Sequence, residues 1–399
     1  MGASTQAKIK YDFSNTEVAF SAKSDEELRK MYWLFRVVQN PLVVKIGTYL
    51  LIIALKLKLP IKYLIKKTVF SHFCGGETQN ECISYIEKLH QHKVTAILDY
   101  SAEGEKNKRG FDLNRDEMLS VVDTAVKMGL PYCVVKLTAF APIEVMERIQ
   151  SGNATEEDEI IHQRLEGRLQ AVAQKCYDNN LRLLVDAEET WIQQVIDALV
   201  YKMVRLYNKE RAIVFNTYQL YCKAAYQNLV NAHETLSSEG FFLGVKLVRG
   251  AYMEKERDRA EELGYEDPIQ PNKEATDRDY NKALAYCVEN IDRMEICAGS
   301  HNEASAQFLA DCMTDAGLAK NDPRIFFAQL YGMSDHISFT MAKEGYNVAK
   351  YLPYGPVEKV MPYLIRRAEE NTSIAGQSGR ELRLIKTEFN RRKQAKKQS

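Results

Sequence analysis

Three charged side chains lie close together near the carboxyl end of the sequence and could bind an amino acid. Arg366 and Arg367 are adjacent, and Glu370 follows one helical turn later. Two guanidinium groups suit a carboxylate because each offers a planar fork of N–H donors, and Glu370 could face a cationic amine. An isolated pattern of this kind is more often an exposed helical ion pair worth roughly 0.3 kcal/mol. The position of these residues in the fold must decide between the two interpretations.

Other charged residues interrupt apolar runs in the middle of the chain. Lys136, Asp186, Lys246 and Arg249 each lie within or at the end of such a run. Burying a charge is unfavourable unless it is paired, so each of these residues needs a partner or a ligand. A structural ion pair is the simpler interpretation for any one of them, but their repetition over several runs favours a shared site.

Eight candidate strands could bring these charged residues together. From residue 94 onward, short β-branched and apolar runs alternate with amphipathic stretches, which predicts repeated βα units and a parallel sheet. The predicted strands are residues 94–100, 132–140, 182–188, 212–221, 241–250, 294–301, 325–333 and 346–354. The predicted helices between and after them include 116–128, 156–179, 189–210, 226–238, 277–290, 304–316, 334–344 and 359–371.

Eight strands indicate an α/β fold, a closed (βα)8 TIM barrel, because closure removes both edges of the sheet. An open doubly wound sheet is the alternative. Such sheets usually bind dinucleotides through Gly-x-Gly-x-x-Gly, a string that this sequence lacks. Chemistry in a barrel takes place where the strands end. The helix at 359–371 carries Arg366 and Arg367 and follows the eighth strand, so it can fold back over the barrel mouth.

The chain is predicted to have three parts. Residues 1–90 form an N-terminal helical arm, residues 91–375 the barrel, and residues 376–399 a basic C-terminal tail. Lysines interrupt the apolar stretch 41–60, whereas a spanning helix needs about 20 nearly uncharged residues, so we expect a buried or interfacial helix. In the tail, Leu382, Leu384, Ile385 and Phe389 have helical spacing, which fits either a solvated helix or one resting on an anionic membrane.

The overall composition excludes some classes of partner. With 54 basic and 54 acidic residues, the chain has no global field to attract nucleic acid. The eight cysteines are scattered without metal-ligand spacing, so we expect free thiols and no metal. The polar start lacks a signal-peptide pattern, which predicts a cytoplasmic, bacterial protein.

Residues from about 73 to 373 resemble the proline dehydrogenase family. The motifs that carry the resemblance are Asp186-Ala-Glu188, Lys246-Leu-Val-Arg-Gly-Ala-Tyr252, Ser300-His301-Asn302, and Tyr351-x-Pro353-x-Gly355 followed by Arg366-Arg367-x-x-Glu370. The resemblance implies a distorted (βα)8 barrel that uses FAD to oxidise L-proline to Δ1-pyrroline-5-carboxylate, the first step of proline catabolism to glutamate. Hydride would pass from proline C5 to flavin N5, and electrons would leave to ubiquinone or menaquinone.

The resemblance also implies roles for individual residues. The substrate carboxylate would bind Arg366, Arg367 and Lys136, with Glu370 supporting this cluster and Asp186 positioning Lys136. The proline ring would lie among Tyr252, Leu247, Leu330 and Tyr351, the last of which favours proline over hydroxyproline, and Glu103 would gate the site by pairing with Arg366. The FAD contacts would be Gln219, Lys246, Val248, Arg249, Gly250, Ser300, His301 and Arg367, with Lys273 and Thr276 nearer the adenosine.

One departure and several alternatives accompany this interpretation. Many bacterial members have Arg where Lys246 stands and Lys where Arg249 stands, so this arrangement resembles the eukaryotic-type branch. A lyase using Lys136 or Lys246 as a Schiff-base nucleophile and a non-catalytic amino-acid-binding barrel remain as other functions. The resemblance further suggests peripheral contact with the inner face of the cytoplasmic membrane and coupling to a separate pyrroline-5-carboxylate dehydrogenase.

Overall fold

The barrel predicted from the sequence is present in the computed structural model, which describes residues 10–38, 40, 42–47, 49, 57, 62–101, 108–373 and 377–398. Eight parallel strands follow one another around a closed barrel, and β8 pairs with β1. The strands are β1 Thr95–Tyr100, β2 Tyr132–Val135, β3 Arg182–Val185, β4 Val214–Gln219, β5 Leu243–Val248, β6 Met294–Gly299, β7 Ile325–Leu330 and β8 Val348–Tyr354. The prediction of a (βα)8 barrel is therefore confirmed.

Helices surround the barrel, and further helices precede β1 and follow β8 in the sequence. Before β1 they are α1 Thr16–Ala19, α2 Asp25–Val38, α3 Lys62–Ile65, a π-helix Lys66–Phe70, α4 Ser71–Phe73 and α5 Gln79–Gln91. Between the strands they are α6 Lys108–Met128, a 3-10 turn Leu137–Ala139, α7 Ile143–Gln150, α8 Glu156–Asp178, α9 Thr190–Tyr207, α10 Ala225–Ser238, α11 Met253–Leu263, α12 Lys273–Glu289, α13 Glu303–Asp315 and α14 Asp335–Lys343. After β8 come α15 Val357–Ser373 and α16 Gln377–Gln398.

Strands β2 to β7 end earlier than the hydrophobic pattern predicted. The hydrophobic pattern predicted strands that were too long, because the residues that follow these strands are themselves partly apolar although they belong to the βα loops. In the second repeat, for example, Leu137–Ala139 form a 3-10 turn directly after Lys136. These loops therefore carry several of the candidate site residues.

Two layers of apolar packing hold the barrel. The strand faces that point inward contribute Ile97, Tyr132, Leu184, Phe215, Cys297, Ala349 and Tyr351, among others. Gly244 lies in this inner layer, where an added Cβ would approach the ring of Phe215 to 2.5 Å, so only glycine fits there without movement. The outward faces pack against the surrounding helices in a larger continuous core.

Helix α16 packs against the N-terminal arm. Leu382, Leu384 and Ile385 are buried in one cluster with arm residues that include Phe20 and Leu28. The spacing predicted an apolar face on this helix, and in the structure that face packs against the N-terminal arm. Within the described residues, no helix has both the length and the apolar character needed to span a membrane. Most of the apolar stretch 41–60 lies outside the described residues, and the domain boundaries at 90 and 375 stay predictions.

Candidate functional site

A buried carboxylate at the end of β3 holds two lysines, one that follows β2 and one within β5. Lys136 Nζ donates to Asp186 Oδ2 at 3.0 Å, and Lys246 Nζ donates to Asp186 Oδ1 at 2.5 Å. Asp99 Oδ1 lies 3.8 Å from Lys136 Nζ. Burial alone would raise the pKa of Asp186, but the two ammonium groups outweigh it and hold that pKa below its usual value. The cluster contains two lysines and two aspartates, so its charges balance, and any excess positive charge for an anionic ligand must come from the arginines of the last barrel helix.

The ring of Tyr351 lies directly beside this charge cluster. Lys246 Nζ is 4.5 Å from the centroid of the Tyr351 ring, a cation–π distance. The Tyr351 hydroxyl is buried and has no hydrogen-bond partner among the described residues. Burial without a partner is unfavourable for a hydroxyl, so a ligand or water that completes this hydrogen bond would be stabilised. Leu247 is fully buried in β5 and belongs to the outer core, and Leu330 is half-buried at the end of β7.

Helix α15 carries the two arginines over this region. Its apolar residues Val360, Met361 and Leu364 pack against Phe73 and other residues before β1, which fixes the helix across the strand ends. The Arg366 guanidinium lies 5.9 Å from the centroid of the Tyr252 ring.

The second arginine is more deeply placed. Arg367 is buried, with its guanidinium 5.2 Å from the centroid of the Tyr363 ring. Glu370 belongs to the same helix, but its side chain is not among the described parts, and Glu103 lies outside the described residues. The gate and the support of the cluster therefore stay predictions.

Arg249 organises the opposite side of the site. Its guanidinium donates to Asp277 Oδ1 at 2.7 Å, to Ser300 Oγ at 2.7 Å and to Ser305 Oγ at 2.9 Å. The same group lies 4.4 Å from the centroid of the Tyr280 ring. These contacts join the loops after β5 and β6. Sequence reasoning missed Asp277, although its spacing of four residues from Lys273, with which it pairs, was an available signal.

The loop after β5 requires glycine at its first exposed position. Gly250 has a φ of +151°, and an added Cβ would lie 2.4 Å from the ring of Tyr221. Gln219 holds the same loop, since its Oε1 accepts from Ala251 N at 3.2 Å and its Nε2 donates to the Glu188 carbonyl at 2.7 Å. Just before this loop, the carbonyl of Val248 accepts from Leu220 N at 2.9 Å. The backbone here is therefore fixed against Tyr221, and Gly250 is exposed at its surface.

A cleft of about 1420 Å³ joins the two sides. Its wall includes Lys136, Tyr252, Arg366, Arg249, Gly250, Lys273 and Thr276. The wall does not include Asp186, Lys246, Tyr351, Leu330, Gln219, Val248, Ser300, His301 or Arg367. Its volume exceeds the roughly 300–1000 Å³ of a single small-ligand pocket, so it has room for a large ligand and a small one together.

One acidic residue of this cleft has a strongly altered pKa. Glu188 lines the cleft, and burial raises its pKa to about 7, although the backbone N–H and the hydroxyl of Thr138 donate to it and oppose the shift. The sequence motif contained Glu188, but no role was predicted for it. Displaced pKa values of this kind concentrate at functional sites.

Comparisons with known proteins bear on this arrangement. The family model described as proline dehydrogenase matches residues 82–380. The human protein "Proline dehydrogenase 1, mitochondrial" is 44% identical over 241 residues, which is 60% of this chain and 40% of that protein. The Xenopus laevis protein "Hydroxyproline dehydrogenase" is 33% identical over 429 aligned positions, covering 98% of this chain and 92% of that protein. This chain spans 40% of the human relative and 38% of its Drosophila melanogaster counterpart.

Solved structures share the fold. Proline utilization A from Bdellovibrio bacteriovorus superposes with a TM-score of 0.71 at 18% identity, covering 96% of this chain and 42% of that chain. A second, from Bradyrhizobium japonicum, has a TM-score of 0.65 at 20% identity and covers 79% of this chain and 33% of that chain. At such identities the likeness concerns the fold alone.

Proposed function

Because the chain belongs to the proline dehydrogenase family, we propose that it is an FAD-dependent proline dehydrogenase that oxidises L-proline to Δ1-pyrroline-5-carboxylate. The main support is the cleft itself, in which Lys136 and Arg366 face one cavity with Arg249 and Gly250. A carboxylate-binding region and a region suited to a larger anionic ligand therefore adjoin each other. When bound, FAD would supply at N5 the acceptor for the hydride that leaves proline C5.

The substrate carboxylate would bind three cations. Lys136 offers its ammonium group and Arg366 and Arg367 their guanidinium groups, while Asp186 holds Lys136 in place at 3.0 Å. We assign Glu370 the support of this cluster and Glu103 the gate, both from the family resemblance. Catalysis then depends mainly on orientation, since fixing the ring of the substrate removes much of the entropic barrier to the transfer.

The ring pocket would select proline. Tyr351 and Tyr252, with Leu247 and Leu330, would line it, and from the family resemblance the Tyr351 ring would occupy the space that a 4-hydroxyl group needs. The Xenopus laevis relative is named hydroxyproline dehydrogenase, which makes hydroxyproline oxidation the second candidate function. The bulk of the Tyr351 ring beside Lys246 favours proline as the substrate.

The residues around Arg249 fit a flavin dinucleotide. Arg249 and Lys273 both line the cleft and would offer cationic groups to a diphosphate, beside the exposed backbone of Gly250. We assign FAD binding to Gln219, Lys246, Val248, Arg249, Gly250, Ser300, His301 and Arg367, with Lys273 and Thr276 at the adenosine end. Asp277 already pairs with Arg249 and Lys273 and would orient both side chains toward the ligand.

The remaining parts of the proposal concern the surroundings of the enzyme. Electrons would pass to ubiquinone or menaquinone, and the product would go on toward glutamate through a separate pyrroline-5-carboxylate dehydrogenase. We place the protein in the cytoplasm, at the inner face of the cytoplasmic membrane, although several relatives carry "mitochondrial" in their names.

A membrane contact would involve the N-terminal arm and not α16. Trp33, Leu42, Ile46 and Tyr63 expose large apolar side chains there, whereas the apolar face of α16 is buried. Flotation with anionic vesicles would measure the contact. Equal flotation of the protein and of a variant with these four residues changed to Ser would exclude this surface.

The decisive experiment is to load the purified protein with FAD and add substrate without oxygen. L-proline should bleach the visible flavin absorption, and 4-hydroxyproline should do so far more slowly. Arg366→Lys keeps the charge but loses the planar fork, so it should weaken proline binding on the order of tenfold with little change in FAD affinity. Arg367→Lys should weaken both. A colourless protein that takes up no FAD, or a yellow protein that proline does not bleach, would overturn the proposal.

A Schiff-base lyase is the main rival. Lys136 and Lys246 both donate to Asp186, so either amine would have to leave this carboxylate before it could attack a carbonyl. Borohydride reduction in the presence of substrate would trap such an adduct. No covalent adduct is expected with this protein.

A further inference from the structure

A single buried carboxylate of α16 contacts the turn that precedes α14. Glu381 is only 3% exposed, and its Oε1 accepts a hydrogen bond from the backbone N–H of Ser334 at 2.7 Å. Ser334 has a φ of +51°, in the left-handed region that residues other than glycine rarely adopt. Such a conformation persists only where the surroundings hold it. Glu381 is the side chain that holds the N–H of this residue.

Ser334 in turn contacts the candidate cofactor site. Its Oγ lies 2.9 Å from Nδ1 of His301, which follows β6. A second link runs from the first turn of α14 to the same loop, because Ser338 Oγ donates to Gln329 Oε1 at 2.8 Å and Gln329 Nε2 donates to the Ser300 carbonyl at 3.1 Å. The start of α14 therefore supports the loop after β6 at two points.

The contact with Ser334 also holds the orientation of the His301 ring. Burial, followed by the ammonium group of Lys350, lowers the pKa of His301 to about 3, so its ring is neutral near pH 7. A neutral imidazole has one donor and one acceptor nitrogen, and the serine hydroxyl can pair with Nδ1 in either role. A shift of Ser334 would change the orientation of the ring and therefore the direction in which Nε2 points.

We propose that Glu381 is a positioning residue for the cofactor site, which acts through the backbone of Ser334 on the ring of His301. The C-terminal helix would thereby tune how tightly FAD binds and how its ring is polarised. This inference rests on the proposed function, since it takes His301 to face the flavin.

The other groups around Glu381 are consistent with a fixed geometry. Nδ1 of His336 lies 3.7 Å from Glu381 Oε1, and Nε2 of His336 lies 3.0 Å from Glu303 Oε1. Asp335 follows Ser334 and is bound by Lys350 Nζ at 2.8 Å. The two residues that follow Ser334 thus have polar partners of their own, and Glu381 adds a contact from α16.

Helix α16 provides a matched control. Glu388 is also fully buried on this helix, but it bonds Arg391 and Arg392 at 2.8 and 2.7 Å and has no contact with Ser334. Its loss should weaken the packing of the helix without disturbing His301. A purely structural role for Glu381 would make the two residues equivalent.

The test compares Glu381→Ala, Glu381→Gln, Ser334→Ala and Glu388→Ala in the full chain. The readouts are the dissociation constant for FAD, the visible absorption spectrum of bound flavin and the melting temperature without FAD. Glu381→Ala and Ser334→Ala should each weaken FAD binding on the order of tenfold and shift the spectrum, while Glu381→Gln, which keeps an acceptor, should recover most of the affinity. The double variant Glu381→Ala/Ser334→Ala should bind FAD no more weakly than Glu381→Ala alone, because both substitutions break the same chain of contacts to His301.

The control separates the outcomes. Glu388→Ala should lower the melting temperature but leave the FAD spectrum and affinity unchanged. Equal losses of FAD affinity in Glu388→Ala and Glu381→Ala, or strictly additive effects of Glu381→Ala and Ser334→Ala, would overturn the inference. Failure of the unmodified protein to bind FAD would instead overturn the proposed function.

Discussion

At the residue scale, the site is defined by charges that the protein buries in matched groups. Asp186 holds two lysines from different repeats, and Arg249 holds one carboxylate and two serine hydroxyls. Glu188 differs because neutral donors from Thr138 are its direct partners. A buried carboxylate without a cation bonded to it favours its protonated form, which explains why burial raises its pKa to about 7.

This raised pKa predicts a pH dependence of stability. The usual pKa of the group is 4.5, so the folded protein holds a proton between about pH 4.5 and 7 that the unfolded chain releases. The stabilising contribution is therefore complete below about pH 4.5 and is lost as the pH rises through 7, by about 3 kcal/mol in total. Urea unfolding at pH 5 and pH 8 should show a smaller decrease for Glu188→Gln than for the unmodified protein. Glu254→Gln, an exposed change at the same cleft, should behave like the unmodified protein, and an unchanged decrease in Glu188→Gln would contradict this prediction.

At the scale of the elements, α16 and the arm depend on each other. The helix buries Leu382, Leu384 and Ile385 against the arm, and Arg392 donates to the carbonyls of Lys23 and Phe20 at 2.9 and 3.0 Å. A basic helix would otherwise remain solvated, since its many lysines and arginines repel one another. α16 packs against the arm because its apolar face is buried there and because Arg392 donates hydrogen bonds to two arm carbonyls.

A single truncation should loosen this contact. Ile385 is fully buried, so Ile385→Ala removes apolar contacts and leaves a cavity between α16 and α2, with an expected loss of about 2–4 kcal/mol. Hydrogen exchange should become faster in both helices and stay unchanged in the barrel strands. Lys386→Ala, its exposed neighbour on the same helix, should change the exchange rates little. Similar rates for these two variants would exclude the packing described for α16.

At the scale of the whole molecule, one buried carboxylate joins the arm to the barrel. Asp335 on α14 binds Lys350 of β8 at 2.8 Å and Lys23 of the arm at 3.3 Å. Lys350 has no exposed surface. Burial would raise the pKa of Asp335, but the two ammonium groups hold it well below its usual value. The arm is thus fixed to the barrel by charge as well as by apolar packing.

Removal of this carboxylate should destabilise the whole protein. Asp335→Asn leaves two buried ammonium groups without their anion, so the free energy of unfolding should fall by about 3–5 kcal/mol. Adding Lys350→Met should restore part of that loss, because a buried methionine needs no counter-charge. Glu26→Gln, which breaks an exposed pair with Lys30, should change stability by less than about 1 kcal/mol. Urea unfolding of the four proteins measures all of these differences, and a loss for Asp335→Asn no larger than that for Glu26→Gln would contradict the role of the cluster.

The amino-acid sequence by itself determined the number and order of the eight barrel strands, although the extra helices Ile143–Gln150 and Met253–Leu263 were not predicted. Apolar runs and amphipathic helices are local patterns, so eight βα units and their order could be predicted from periodicity alone. Closure of the sheet then brings polar residues at the strand ends to one mouth, which is why Lys136, Arg249 and Arg366 share a cleft. The carboxyl ends of β2 to β7 were predicted too late, because periodicity cannot separate apolar loop residues from the strand that precedes them.

Only the tertiary structure decided which charges pair and where the last helix lies. Asp186 meets Lys136 and Lys246 across 50 and 60 residues of sequence, and these contacts depend on strand register and barrel closure. The apolar face of α16 fitted either solvent or a membrane until the arm was seen to cover it. Pairing and docking of this kind depend on three-dimensional proximity between distant segments, and no local pattern encodes that proximity.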